Sequence, residues 1–381
     1  MRINPVLRSL GSYPIASIQD RARAMRAAGE SLIDFSIGDP REPTPAFIAD
    51  ALKRGVPEIS QYPTTRGLPE LRQAIADYVD RRFGVTVDPD TQVLPTTGSK
   101  EAIFSTPLAL VDRDAGDLVV FPTPGYPIYE RGARLAGAGT YPVRLESDFI
   151  FRPEQVPRKV WRRAAIVWTC SPHNPTGSVL GGGELAGFIN SARMHGTLLC
   201  ADECYSDLYE NDPPASALQF AGSDCQGVLS YMSLSKRSGM TGYRSAAVVG
   251  DAEAIAILAS LRTSTGTATP EFTQMAAIAA WSDDAHVADR RRVFTEKRQI
   301  LRRAFDRLDL KVTGSSAGLY LWVEVFDDLE IAAKLLDHGV VVSPGRVFGE
   351  GGEGHIRLAL VPALEECEQA AEAVVRCLQA N

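Results

Sequence analysis

Between residues 92 and 250 the chain alternates short apolar runs with polar or helical stretches. The runs occupy 92–96, 118–121, 140–145, 164–169, 197–201, 228–233 and 246–249. Most are continuously apolar and β-branched rather than alternating, the pattern of strands covered on both faces. Such runs predict a mainly parallel seven-stranded sheet between helical layers, an α/β unit whose ligand site lies beyond the strand ends. Upstream, 15–28, 46–52 and 68–83 carry helical periodicity, the last starting at Gly67-Leu68-Pro69 with proline in its first turn. Downstream, 270–307 reads as one or two long helices. It is followed by strand 318–325, helix 328–338, strands 340–343 and 355–360, and helix 365–378. Strands and helices without strict βαβ alternation predict a separate, smaller α+β domain. The expected division is an arm and first helix at 1–35 packing with the small domain, a large domain at 36–270 and a small one at 271–381. The glycine-rich segment 345–354 does not follow a strand and open a helix, so it reads as a mobile loop and not as a dinucleotide fingerprint.

Bulk composition narrows the function classes. With 381 residues, 45% hydrophobic and 23% charged, the chain has ample material for two cores. A formal charge of −7 argues against a general binder of nucleic acid or membrane surfaces. The cysteines at 170, 200, 204, 225, 367 and 377 form no CxxC pairs and lie mostly in apolar runs, so buried free thiols are expected, with no metal site. The first residues lack the apolar core of a signal peptide, and no apolar stretch is long enough to span a bilayer. The expectation is a cytoplasmic protein.

Chemistry concentrates where the apolar runs end. The run 228–233 leads into Ser233-Leu234-Ser235-Lys236 and, farther on, Gly242-Tyr243-Arg244, one lysine among hydroxyls with an arginine after it. This reads as a lysine holding an aldehyde cofactor as a Schiff base, with Arg244 on that cofactor's phosphate. Pyridoxal phosphate would need more: phosphate donors, an aromatic face, a carboxylate for its ring nitrogen and a donor to its phenolic oxygen. Thr97-Gly98-Ser99-Lys100 opens a helix after a strand, where free N–H groups and the helix dipole favour phosphate; taken alone, it is more often just an N-capped helix. Pro124-Gly125-Tyr126-Pro127 could lay Tyr126 flat on a ring, or Tyr126 is a packed loop residue. Ser171-Pro172-His173-Asn174-Pro175 fixes the direction of the Asn174 amide, or is a plain Asn-Pro turn. Asp202 ends an apolar strand with Tyr205 three residues on, suited to a pyridinium N–H, or caps the next helix.

In this order and spacing, the set resembles the class I/II aminotransferases of the fold-type I pyridoxal phosphate enzymes. Residues 38–40, 62–72 and 355–358 extend the match over essentially the whole chain. The resemblance implies that Lys236 carries the cofactor and moves the proton, that Asp202 pairs with the ring nitrogen, and that Asn174 and Tyr205 hold the phenolic oxygen. It further implies that Ser233, Ser235, Arg244 and the Gly98-Ser99-Lys100 turn cup the phosphate, with Tyr126 over the ring. Arg357 would grip the substrate α-carboxylate with help from the backbone at Gly38. Tyr62 would reach the phosphate of a neighbouring subunit, implying a homodimer with shared sites. Substrates would be an amino acid and a 2-oxo acid. Motifs around Lys236, Asn174, Asp202 and 280–287 resemble the succinyldiaminopimelate aminotransferases, which implies transfer from L-glutamate to N-succinyl-2-amino-6-oxopimelate. Gly239 and Ala246 stand where that subgroup commonly has Asn and Gly. An extra cation for a distal carboxylate is expected among Arg41, Arg66 and Arg237. The alternatives are an aspartate, alanine or aromatic aminotransferase, a carbon–sulfur lyase on the same cofactor, or a cofactor-binding module without turnover.

Overall fold

The computed structural model describes residues 2–9, 16–315 and 317–379, with the side chains of residues 16 and 17 left aside. A two-residue strand, β1 (Ile33–Asp34), precedes the main sheet. That sheet contains β2 (Val93–Thr96), β3 (Leu118–Thr123), β4 (Gly139–Arg144), β5 (Ala164–Cys170), β6 (Leu198–Asp202), β7 (Val228–Ser233) and β8 (Ala246–Gly250). Its order is β2-β8-β7-β6-β5-β3-β4. All contacts from β7 through β4 are parallel, while β8 runs antiparallel to both of its neighbours. The second sheet uses β9 (Val312–Thr313), β10 (Tyr320–Glu324), β12 (Ser343–Pro344) and β13 (His355–Ala359), while β11 (Val340–Val341) pairs in parallel with β1.

The helices are α1 (Pro5–Ser9), α2 (Ala16–Ala27), α3 (Ala46–Arg54), α4 (Pro69–Phe83), α5 (Ser99–Leu110), α6 (Ile128–Ala136) and α7 (Arg158–Trp161). After them come α8 (Gly182–His195), α9 (Leu234–Arg237), α10 (Ala252–Thr265), α11 (Glu271–Trp281), α12 (Ala285–Asp306), α13 (Asp328–Asp337) and α14 (Leu364–Gln379). The expected start of the first long helix at residue 15 lies outside the described residues. In α4, Pro69 enters at the first helical position, Glu70 sits in the first turn and Arg81 and Arg82 in the last. The helix stops at Gly84, whose φ of 67° is left-handed.

Strand residues alternate between two apolar layers, as the pleat requires. Val93, Val120, Val167, Leu199 and Val228 face a core shared with α4, α8 and α11; Leu94, Val119, Ile166, Cys200 and Leu229 face one shared with α5, α6 and α10. Each fully buried Val, Leu or Ile contributes about 1.5–3 kcal/mol. A third core gathers β10, β13 and α14 around Leu321, Val323, Leu358 and Val374.

Several expectations shift. Residues 340–343 form no single strand: Val340 and Val341 pair with β1, then Ser343 and Pro344 pair with β13, so the chain changes sheets at Val342. Segment 345–354 carries a 3-10 turn (Gly345–Phe348) with Val347 and Phe348 buried, and Arg346 is gripped by Asp328 at 2.5 Å. Helix α11 places Ala276, Ala277, Ala280 and Trp281 in the first core, so a boundary at residue 270 falls ahead of a helix that packs against α3 and α4. The helix α2 meets α13 through Ala22, Leu336 and an Arg21–Asp337 ion pair.

Candidate active site

Because β7 and β2 both run antiparallel to β8, the ends of β2, β3, β5, β6 and β7 open on one edge of the sheet. Register places Cys170 beside Asp202, Asp202 beside Tyr231, and Ser233 and Thr96 on either side of Ala246. The motifs separated along the chain therefore meet in space.

Asp202 is buried. Its Oδ2 accepts from the Tyr129 hydroxyl at 2.7 Å and its Oδ1 from the Cys204 N–H at 3.3 Å. Burial raises the carboxyl above the usual range, opposed by these two donors. Tyr129 is itself pinned, stacked on Trp168 with centroids 5.0 Å apart, and Tyr126 meets it edge-on at 5.6 Å. Parity along β6 turns Asp202 to the same face as Cys200, which is the face α6 covers.

Ser233 is the N-cap of the one-turn helix α9, its Oγ accepting from the Ser235 N–H at 3.1 Å. Lys236 follows in that turn and donates through Nζ to the Gly38 carbonyl. Burial lowers its pKa to about 8; Asp39 and Cys204 oppose this, while Arg244 and Arg357 add to it. At Gly38 a Cβ would lie 2.7 Å from the Tyr320 hydroxyl, so any larger residue would have to displace that buried ring. Arg244 holds a left-handed φ of 55°, a conformation costing a non-glycine residue about 1–3 kcal/mol. Its guanidinium lies over Gly98, where any Cβ would overlap it. Backbone N–H groups at the start of α5 and the Arg244 cation thus form one cradle.

Arg357 of β13 comes from the second sheet. Its Nη1 donates to Asn174 Oδ1 at 3.0 Å and its Nη2 to the Ser36 carbonyl at 2.7 Å. Its guanidinium lies 4.4 Å from the ring centroids of both Tyr320 and Phe348. The Tyr205 and Tyr320 hydroxyls are 2.9 Å apart, and both phenols are raised, chiefly by burial. With its oxygen engaged, the Asn174 amide keeps its NH₂ to donate.

The structure thus gathers Lys236, Asp202, Tyr205, Asn174, Ser233, Ser235, Arg244, Gly98, Gly38 and Arg357. Ser99 is half-buried at the start of α5, and Tyr126 is half-buried against Tyr129. Tyr62 and Lys100 are exposed, and neither side chain makes a hydrogen bond or ion pair among the described residues. Arg237, expected as a reader of a distal carboxylate, is committed elsewhere: it is buried and paired with Asp207 at 2.9 Å and Asp284 at 2.5 Å. Arg41 pairs with Glu366 at 3.2 Å, and Arg66 donates to the Asp90 carbonyl. Sequence reasoning missed Tyr129, Tyr320, Phe348 and the Ser36 carbonyl. Tyr129 lies in the first turn of α6, three residues after Tyr126, and Tyr320 is the diagonal neighbour of Arg357 across β10 and β13. The Tyr126–Tyr129 spacing is a signal that could have found Tyr129; the Tyr320–Arg357 relation cannot be read before the strand pairing is known.

The donor set fits pyridoxal phosphate. A buried amine of lowered pKa, a buried carboxylate with no cation paired to it among the described residues, a helix start with the Arg244 guanidinium lying over Gly98, and an amide whose NH₂ makes no hydrogen bond among the described residues each match one part of that molecule.

Fold and site together define an enzyme of the fold-type I class, and residues 30–374 match the model of the aminotransferase class I and II family, to which the chain belongs. It is a pyridoxal phosphate-dependent aminotransferase acting on amino acid and 2-oxo acid substrates. It is 35% identical over 379 residues to the LL-diaminopimelate aminotransferase of Dehalococcoides mccartyi strain BAV1, covering 97% of each chain. Among solved structures it resembles an aminotransferase from Neisseria meningitidis, with a TM-score of 0.90, 36% identity, and 98% and 99% of the two chains covered. It also resembles a probable N-succinyldiaminopimelate aminotransferase from Thermus thermophilus, with a TM-score of 0.89, 31% identity, and 96% and 100% covered.

Proposed function

We propose that this aminotransferase carries its cofactor on Lys236 and moves an amino group from L-glutamate to a 2-oxo acid of the diaminopimelate skeleton. The observation that carries the assignment of the site is the meeting of Lys236, Asp202, Arg244 and the Arg357–Asn174 pair at one edge of the sheet. When bound, pyridoxal phosphate supplies an aldehyde that takes up the amino group and a ring that draws electrons from the substrate. The chain's own residues do the rest. Near pH 8 a substantial fraction of Lys236 is neutral, so its amine can act as nucleophile and then as proton carrier. Asp202, held by Tyr129, supplies the negative charge that keeps a ring nitrogen protonated. Arg357 presents a planar fork to a carboxylate, lying over the rings of Tyr320 and Phe348 and tied to Asn174 and the Ser36 carbonyl, so that its direction is set before substrate arrives. Asn174, bonded to Arg357, and Tyr205, joined to Arg357 through Tyr320, would hold a phenolic oxygen. Tyr62, with the exposed Val56 and Ile59, offers a bare apolar stretch that supports a partner subunit covering this face.

For the acceptor, the name of the D. mccartyi relative favours unacylated LL-diaminopimelate as the product. The motifs, and the name of the T. thermophilus structure, favour its N-succinyl form as a second reading. The test follows the cofactor's visible spectrum on adding single amino acids: L-glutamate, LL-diaminopimelate, N-succinyl-LL-diaminopimelate, aspartate, alanine and phenylalanine. Conversion by glutamate and one diaminopimelate form is expected. Conversion by aspartate, alanine or phenylalanine with neither diaminopimelate form reacting would contradict the proposal.

A further inference from the structure

The start of α12 and the two residues before it touch every residue from Lys236 to Gly239. The Arg290 Nε donates to the Lys236 carbonyl at 3.4 Å, and its fork packs on Gly239, where a Cβ would lie 2.9 Å from Nη1. Arg237 pairs with Asp284 at 2.5 Å and donates to the Asp283 carbonyl at 3.2 Å. From the other side, Thr44 Oγ1 donates to the Gly239 carbonyl at 2.7 Å. The remaining contact is a chain of three side chains. Asp283 Oδ1 lies 2.6 Å from His286 Nδ1, and His286 Nε2 lies 2.9 Å from Ser238 Oγ.

That chain has the order of a hydrolytic triad, but Ser238 is 0% exposed, so no substrate reaches its hydroxyl. Its protons can be assigned. Asp283 is held ionised by donors from His286 and can only accept, so Nδ1 carries the hydrogen, Nε2 accepts, and the Ser238 hydroxyl donates. Burial keeps His286 neutral, and Arg237 from α9 and Arg290 from its own helix further disfavour a charge there, against the pull of Asp283. Phe47 of α3 closes the remaining side, its ring edge-on at 5.5 Å.

We infer that His286 and Ser238 are positioning residues for Lys236: the Asp283–His286–Ser238 chain anchors the turn after the lysine, and Arg290, one helical turn beyond His286, anchors its carbonyl. The inference rests on the assignment of the cofactor to Lys236. A lysine amine at the end of a flexible stem is directed by its backbone, and displacement by about 1 Å at a reacting group can cost about 10²-fold in rate.

The test uses Ser238→Ala, His286→Leu and His286→Gln in the holoenzyme. Gln carries an amide oxygen to the Nε2 position and can accept from Ser238 in place of the imidazole. For Ser238→Ala and His286→Leu, kcat should fall about tenfold with KM for glutamate changed less than twofold. In cofactor-free protein, the pH midpoint for acylation of the Lys236 amine, read by peptide mass, should move by at least half a unit. His286→Gln should recover most of both. If Ser238→Ala, which deletes a single hydroxyl and adds no bulk, keeps both kcat and the midpoint of the parent, the inference is overturned, even should His286→Leu fail to fold. A cofactor attached to a lysine other than Lys236 would instead overturn the assignment beneath it.

Discussion

The two ends of the site are built differently. The Asp202 end belongs to one continuous sheet: Cys170, Asp202 and Tyr231 are neighbours in register, and Tyr129 reaches them from the helix that packs on that face. The Arg357 end is assembled from pieces remote in sequence, with Ser36, Asn174, Tyr320, Phe348 and Arg357 each on a different segment. A sheet edge is a rigid mount for a cofactor that stays. A junction between two sheets is a mount that can respond to a substrate that comes and goes. Disturbing the first end should therefore change the chemistry, and disturbing the second should change binding.

The sharpest way to break this contrast is Asp202→Asn. It should retain the cofactor yet lower kcat by about 10²–10³-fold, because a neutral amide cannot balance a ring cation in a buried site. Near-normal turnover would remove Asp202 from its role. At the other end, Arg357→Lys should raise KM for glutamate by about 10²-fold with the cofactor's absorbance unchanged. It exchanges a two-pronged fork for a single point charge, and each charge-assisted bond is worth about 1.5–3 kcal/mol. Loss of the cofactor in this variant would mean the two ends are not separable. A smaller effect is expected for Tyr129→Phe, which removes one donor from the buried carboxylate: kcat should drop about tenfold with KM steady. A change in KM alone would place Tyr129 with the substrate instead.

The same contrast decided what the sequence could show. The Asp202 end was legible because each strand is a continuous apolar run and each run ends in a polar motif, so strand ends and candidate chemistry coincide in one reading frame. Asn174, Asp202 and Lys236 could be named for that reason. The Arg357 end was legible only as one arginine with a family counterpart. Tyr320 lies within an apolar strand and looks like core, and Ser36 contributes a carbonyl that every residue has. Residues 340–343 misled for a related reason: four apolar or small residues in a row carry no mark of where a chain leaves one sheet for another. Arg237 sits beside Lys236 in sequence, which made it a candidate for substrate, but its side chain turns inward to Asp207 and Asp284.

A gentler probe needs no substitution. In cofactor-free protein, acylation of the Lys236 amine should rise through pH about 8, where an ordinary lysine would respond more than two units higher. The sign follows from burial disfavouring the ammonium, so the neutral, reactive amine is present at lower pH. A midpoint near that of an ordinary lysine would show the amine to be solvated.

The most direct test asks where the cofactor is bonded. Holoenzyme treated with borohydride, which makes the lysine–cofactor link permanent, is digested and each lysine peptide is weighed. The pyridoxal phosphate mass should appear on the peptide containing Lys236, and Lys236→Ala should bind no cofactor covalently and show no amino transfer. The same mass on another lysine, or amino transfer persisting in Lys236→Ala, would contradict the account.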